Sequence, residues 1–297
     1  MDRMTEQSAL LVLLRQHRTG WAAVTDEVET RGSAYEVLVN DGAGSQPTLF
    51  ADEPTPDENM RAARTAIHRW TDEGIHLVTL LDDDYPKQLL TIHERPPFLL
   101  YRGSLREEDA DGVAIVGTRK PSSAGLEMAS EIARDLARRD VSIISGLAAG
   151  IDTAAHRAAL EVGGRTVGVI GTGLEHSYPS QNAGLQAELG RSQLVVSQFW
   201  PNAGPTKKSF PMRNAVMSGY AAATVVVEAA AQSGSRIQAR LALQHGRPVF
   251  LLESLLEHDW ARDFASKPGT RVVSGPADII DQLADVLAPP EQLVWAD

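Results

Sequence analysis

Ser145 to His156, which reads S-G-L-A-A-G-I-D-T-A-A-H, constrains this chain more than any other segment. The apolar run Val141-Ser142-Ile143-Ile144 leads into it, and an alanine-rich amphipathic stretch leaves it. That order predicts a strand, a tight turn and a helix. Gly146 and Gly150 keep Cβ atoms out of the turn, so the backbone can bend sharply and approach a ligand. Asp152 stands where a helix N-cap is expected, with free N–H groups pointing out of the turn. Sheets of the α/β class build phosphate sites in this way, at the carboxyl ends of their strands.

The device recurs twice. Val113 to Val116 runs into Gly117-Thr118-Arg119, then Pro121-Ser122-Ser123 and a helix over Ala124 to Arg139. Thr166 to Ile170 runs into Gly171-Thr172-Gly173. Three strand–glycine–helix units in succession predict a parallel, doubly wound sheet. None carries the spaced G-x-G-x-x-G of a dinucleotide site, and tight βα turns alone are the other reading of these glycines. Further strands are expected at 193–197, 223–228, 248–252 and 271–273, with helices between them and a last one over Ala277 to Leu287. His76 to Leu80 and Phe98 to Tyr101 add a short strand and an edge strand.

The first part of the chain reads differently. Thr5 to Arg18, Trp21 to Thr30 and Met60 to Asp72 have helical periodicity, with a short helix after Gly32-Ser33. Asp41 to Asn59, rich in Gly, Pro and acid, is expected to be a mobile loop. The domain plan is therefore a small helical unit over 1–72 with the acidic loop 41–59, a sheet domain over 73–290, and a tail at 291–297.

The 297 residues contain no cysteine, which excludes disulfides and Cys-ligated zinc. No apolar run approaches the ~20 residues of a membrane helix. The first residues lack a signal-peptide pattern, so a cytoplasmic protein is expected. The net charge is −11, but it is unevenly spread. Met1 to Leu100 holds nine Lys and Arg against seventeen Asp and Glu. Pro201 to Phe250 holds six Lys and Arg against Glu228 alone. A basic segment on an acidic protein is an electrostatic footprint for an anionic partner, or else a solvated face.

The basic segment also carries aromatic chemistry. Lys207, Lys208, Phe210 and Arg213 place cations beside a ring, the pairing by which single-strand binders track a backbone and stack a base. Asn214 adds a hydrogen-bonding pair. Asp152 and His156, four apart, read as an acid–base or metal pair or as a cap and a satisfied histidine; no third ligand at metal spacing follows them.

Together these motifs resemble the DNA-processing protein A (DprA/Smf) family. The resemblance rests on D-Y-P-K-Q-L-L at 84–90, P-P-F-L-L-Y-R-G at 96–103, V-G-T-R at 116–119 and S-G-L-A-x-G-I-D-x-x-A-H at 145–156. It continues through G-T-G-L-x-x-x-Y-P at 171–179, F-P-M-R-N at 210–214, V-V-E-A at 226–229 and S-G-S at 233–235. It implies an extended Rossmann-like sheet after a small helical (SAM-like) domain. It also implies a homodimer that binds single-stranded DNA and hands it to the RecA recombinase in natural transformation, with no catalysis and no cofactor. Carried over by position, Arg119, Lys207, Lys208 and Arg213 contact phosphate and Phe210 stacks on a base. Gly117, Thr118, Gly146, Gly150, Gly171 and Gly173 form the floor. Asn214, Ser145, Ser233, Gly234 and Ser235 supply neighbouring polar contacts.

The chain departs from the family pattern at Ala215, Gln198 and Gln238, where the family usually has arginine, glutamate and threonine. Glu253 to Lys267 replaces a Pro-Gly loop and a glycine–asparagine signature. Two other functions use related sheets. A nucleotide phosphoribohydrolase needs a P-G-G-x-G-T-x-x-E segment, which Glu228 to Ala239 lacks. A nucleotide-ligand sensor, as in phage defence, would keep the glycine turns and lose the cation at 215.

Overall fold

The computed structural model describes residues 1–16, 20–44, 55–230 and 233–287. Four helices come first: α1 (Arg3–Gln16), α2 (Trp21–Arg31), α3 (Ala34–Gly44) and α4 (Pro56–Asp72). A hairpin-like pair follows, β1 (His76–Thr79) and β2 (Phe98–Gly103). The alternating unit comprises β3 (Val113–Val116), α5 (Ser123–Ala137), β4 (Ile143–Ser145), α6 (Ile151–Glu161), β5 (Thr166–Val169), α7 (Ala183–Ser192) and β6 (Leu194–Ser197). It continues through α8 (Ser209–Tyr220), β7 (Ala223–Val226), α9 (Gly234–Gln244), β8 (Val249–Leu252), α10 (Asp259–Ala265), β9 (Thr270–Val273) and α11 (Pro276–Leu287).

The nine strands form one sheet in the order β1-β2-β6-β5-β4-β3-β7-β8-β9. From β6 through β9 every pairing is parallel, while β1 and β2 join antiparallel at the β6 edge. Helices cover both faces, so β3, β5, β6, β7 and β8 are buried at every residue and read as continuous apolar runs. The expected Rossmann-like, doubly wound, mainly parallel sheet is the observed one. Several expected strands end a residue or more away from the observed limits; β4, for example, covers 143–145 rather than 141–144.

The helical segment shares its core with the sheet. Ala9 to Leu14 of α1, with Val24, Val28, Ile67 and Trp70, pack in one cluster with Phe98 and Leu100 of β2, Leu189 of α7 and Val195 of β6. Trp200 anchors this contact, its ring 5.1 Å from Phe98, 6.0 Å from Trp21 and 6.2 Å from Trp70. The loop expected over 41–59 is contradicted at both ends. Residues 41–44 close α3, and Thr55 caps α4 through a capping box with Glu58, followed by Pro56 in the first turn. Residues 45–54 lie outside the described residues, as do 288–297 with the expected tail. No helix among the described residues is long and apolar enough to cross a membrane.

Candidate nucleic-acid interface

The chain winds from β3 outward to β6, then crosses back to β7 beside β3, so the topological switch falls between β3 and β7. Open α/β sheets bind ligands at the carboxyl ends of strands beside such a switch. A groove of about 440 Å³ lies there, walled by Gly117 to Lys120 after β3, by Phe210, Arg213 and Asn214 at the start of α8, and by Ser233 to Ser235 at the start of α9.

Two of the three glycine turns are sealed by the protein's own carboxylates. Asp152 is not the N-cap of α6; Gly150 is, with φ +83°. The buried Asp152 carboxylate reaches back to accept the Gly146 and Ala148 N–H groups, at 3.1 and 3.3 Å. It ties down the turn instead of leaving it open. At α5, Glu228 accepts from the Ser122 hydroxyl at 2.8 Å and from the Ser122 N–H, and so occupies the helix N-terminus as an internal anion. Like α8, α9 begins at the groove without a side-chain cap and with no acid in its first turn. Its Ser233 and Ser235 hydroxyls hydrogen-bond to each other.

Arg213 is corrected in place and role. The residue is 6% exposed, and its guanidinium donates from Nη1 to the Gly146 and Val169 carbonyls at 2.6 and 2.8 Å. A Cβ at Gly146 would fall on that guanidinium, so this glycine exists to admit the arginine. Burial lowers the Arg213 pKa, and the neighbouring Asp152 opposes that shift. Burial raises the Asp152 pKa, and Arg213 opposes that in turn. A guanidinium is too basic to lose its proton in this range, so a fixed positive charge lies beneath the floor.

The accessible chemistry stands above it. The exposed Arg119 guanidinium sits 5.5 Å over the Phe210 ring. Lys120, which the motif reading passed over, is exposed beside it and donates its N–H to the Thr118 hydroxyl at 3.2 Å. Its signal was simple adjacency to G-T-R. Gly171 lies under Phe210, where a Cβ would meet the ring at 2.9 Å. Asn214 donates to the Gly234 carbonyl at 3.2 Å and so ties α8 to α9.

The structure sets other expected residues apart. Lys207 and Lys208 are exposed on the approach to α8, outside the groove lining. The Ser145 hydroxyl is fully buried and donates to the Ile115 carbonyl at 2.7 Å, so it serves the sheet and not a ligand. Gly173 packs against the backbone at Trp200 and Pro201 and takes no part in the floor. Ala215 lines a neighbouring, more apolar cavity, and so does Gln198. Gln238 is buried, with its amide bridging the Asn214 carbonyl and the Ser218 N–H. His156 Nδ1 meets the Thr166 hydroxyl at 2.7 Å, and that hydroxyl donates to the Ile143 carbonyl, so the ring nitrogen is the donor. Burial pushes the His156 pKa down to about 3. It is a neutral structural histidine, and no group of three metal-ligating side chains occurs among the described residues.

A doubly wound sheet with cations and a ring at the carboxyl ends of its strands defines a Rossmann-like protein with a groove at its switch point. The chain belongs to the DNA recombination-mediator protein A family, whose profile matches residues 76–289. It is 42% identical over 174 residues to DNA processing protein DprA of Streptococcus pneumoniae, covering 59% of this chain and 61% of that protein. The chain thus spans about three fifths of that relative's length. The X-ray structure of the Streptococcus pneumoniae protein superposes with a TM-score of 0.68 at 31% identity, over 94% of both chains. DNA processing protein A from Helicobacter pylori, solved to describe its single-stranded DNA binding mode, superposes with a TM-score of 0.63 at 27% identity. That match covers 70% of this chain and 96% of the Helicobacter one.

Proposed function

We propose that this protein binds single-stranded DNA in the switch-point groove and acts as a recombination mediator. In this reading it works as a homodimer, passes the strand to a RecA recombinase during DNA uptake, and performs no chemical step. The observation that carries the reading is the Arg119–Phe210 stack with Lys120 beside it, open to solvent above a buried arginine. A ring and a guanidinium plane accept any base, each stack contributing ~1–3 kcal/mol, while the cations follow the phosphates. The uncapped start of α9 adds N–H groups and a helix dipole on the opposite wall. The single-stranded DNA binding of the Helicobacter pylori protein supports the same ligand. Asp152, His156 and Glu228, the titratable groups nearest the turns, are each committed to structural hydrogen bonds, which supports a binding role over catalysis.

Fluorescence anisotropy with a labelled single strand of about 30 nucleotides, beside its duplex, tests this. With the two exposed cations of the groove, Arg119 and Lys120, on phosphates, log K should fall with log salt at a slope of about −1.4. Phe210→Ala should weaken binding about 5- to 150-fold, the equivalent of one lost stack. Arg119→Ala should reduce the slope by about 0.7. Absence of single-strand binding at low salt, or wild-type affinity in both variants, overturns the reading.

A further inference from the structure

Glu253 to Lys267 contributes nothing to the groove described above. The segment folds as a 3-10 turn (Glu253–Glu257) followed by α10, and it brings Trp260 and Phe264 to lie 8% and 7% exposed beside α9. The two rings, 6.5 Å apart, back a second depression of about 670 Å³. Arg236 lies 5.0 Å over the Trp260 ring and Lys267 5.5 Å over the Phe264 ring. With Arg240 these make three cations against one acid, Asp263, on the lining. Ser233 and Gly234 line both depressions, so the two meet at the start of α9.

We propose that a strand lying in the switch-point groove continues over the start of α9 into this second depression, which lengthens the bound segment. This rests on the single-strand reading above. The occupant is argued from charge and continuity. A lining with three cations and one acid favours a polyanion, and two depressions sharing a wall favour one continuous polymer over two separate small anions. The Arg236 guanidinium lies against the indole and adds its charge to that wall. Arg240 and Lys267 are exposed and reach phosphate without rearranging the core. The positive end of the α9 dipole lies at the junction, where the strand crosses from one depression to the other. The segment that sets this chain apart from its family pattern thus supplies the ring wall of an added subsite.

The test compares oligothymidylates of about 6 and about 20 nucleotides, one near the lower end and one beyond the upper end of the ~4–16 nucleotides typical of single-strand sites. Wild type is measured beside the double variant R240Q/K267Q, at about 0.05 M and about 0.15 M salt, where screening acts over ~8 Å. Both side chains are exposed, so the variant should fold with an unchanged Tm. The wild type should bind the long strand more tightly and with a steeper salt slope. The double variant should lose about 1.4 of that slope and about tenfold in affinity for the long strand at the higher salt. It should bind the short strand like wild type. Equal losses on both lengths, or no loss on either, overturn the added subsite and leave the first groove standing. If wild type binds neither strand, the single-strand reading itself fails.

Discussion

Arg213 separates a structural role from a contact role cleanly. As a phosphate contact it would act through its charge alone, and Arg213→Lys would be nearly silent. In the structure it works as a fork, with one nitrogen donating to the carbonyls that end β5 and open the β4 turn. Hydrogen bonds to a charged group contribute about 1.5–3 kcal/mol each, so losing one or both in Arg213→Lys should cost about 1.5–6 kcal/mol. Arg213→Met also strips Asp152 of its nearby cation, which puts the cost in the ~3–5 kcal/mol range of a broken buried charge pair. At ~2–4 °C per kcal/mol for a chain near this size, Arg213→Met should lower Tm by about 10 °C. Thermal and denaturant melts give the stability, and anisotropy at several salt concentrations gives the slope for the protein that remains folded. The structural role predicts a lower Tm and an unchanged salt slope for Arg213→Lys. A Tm within about 1 °C of wild type together with a slope reduced in Arg213→Met by ~0.7, the value of one phosphate, would refute it.

Two further outcomes follow from the same packing. His156 titrates at about 3 when folded against 6.5 when unfolded, so the unfolded chain binds the extra proton between those values. Stability is then full above pH 6.5 and declines as pH falls, by about 2 kcal/mol at pH 5, given 1.36 kcal/mol per unit. Urea titrations across pH 8 to 5 on wild type and His156→Gln check this, and an equal pH dependence in the two proteins would exclude His156 as the source. Gly171→Ala forces a Cβ against Phe210 at 2.9 Å, an overpacking cost of about 1–3 kcal/mol that also displaces the ring from Arg119. Weaker single-strand binding with a lower Tm is expected; wild-type values of both would show that the ring adjusts freely.

The chain fixes its local elements by itself, because these depend on neighbours a few residues apart. Apolar runs ending in Gly117, Gly146 and Gly171 dictate three strands and their turns, and the basic stretch from Lys207 marks the face that carries the groove. The capping box of Thr55 and Glu58 was equally legible, yet acid and proline counts masked it. The tertiary structure alone decides what lies across from what. Glu228 caps a helix more than 100 residues earlier, Arg213 points under a glycine 67 positions away, and Ser145 turns its hydroxyl to β3. Each is a long-range pairing in which a polar group must find a partner, buried for Arg213 and Ser145, and sequence spacing carries no record of which group that is. Composition therefore announces cations beside a ring, and the sheet order decides which of them face solvent and which hold the floor in place.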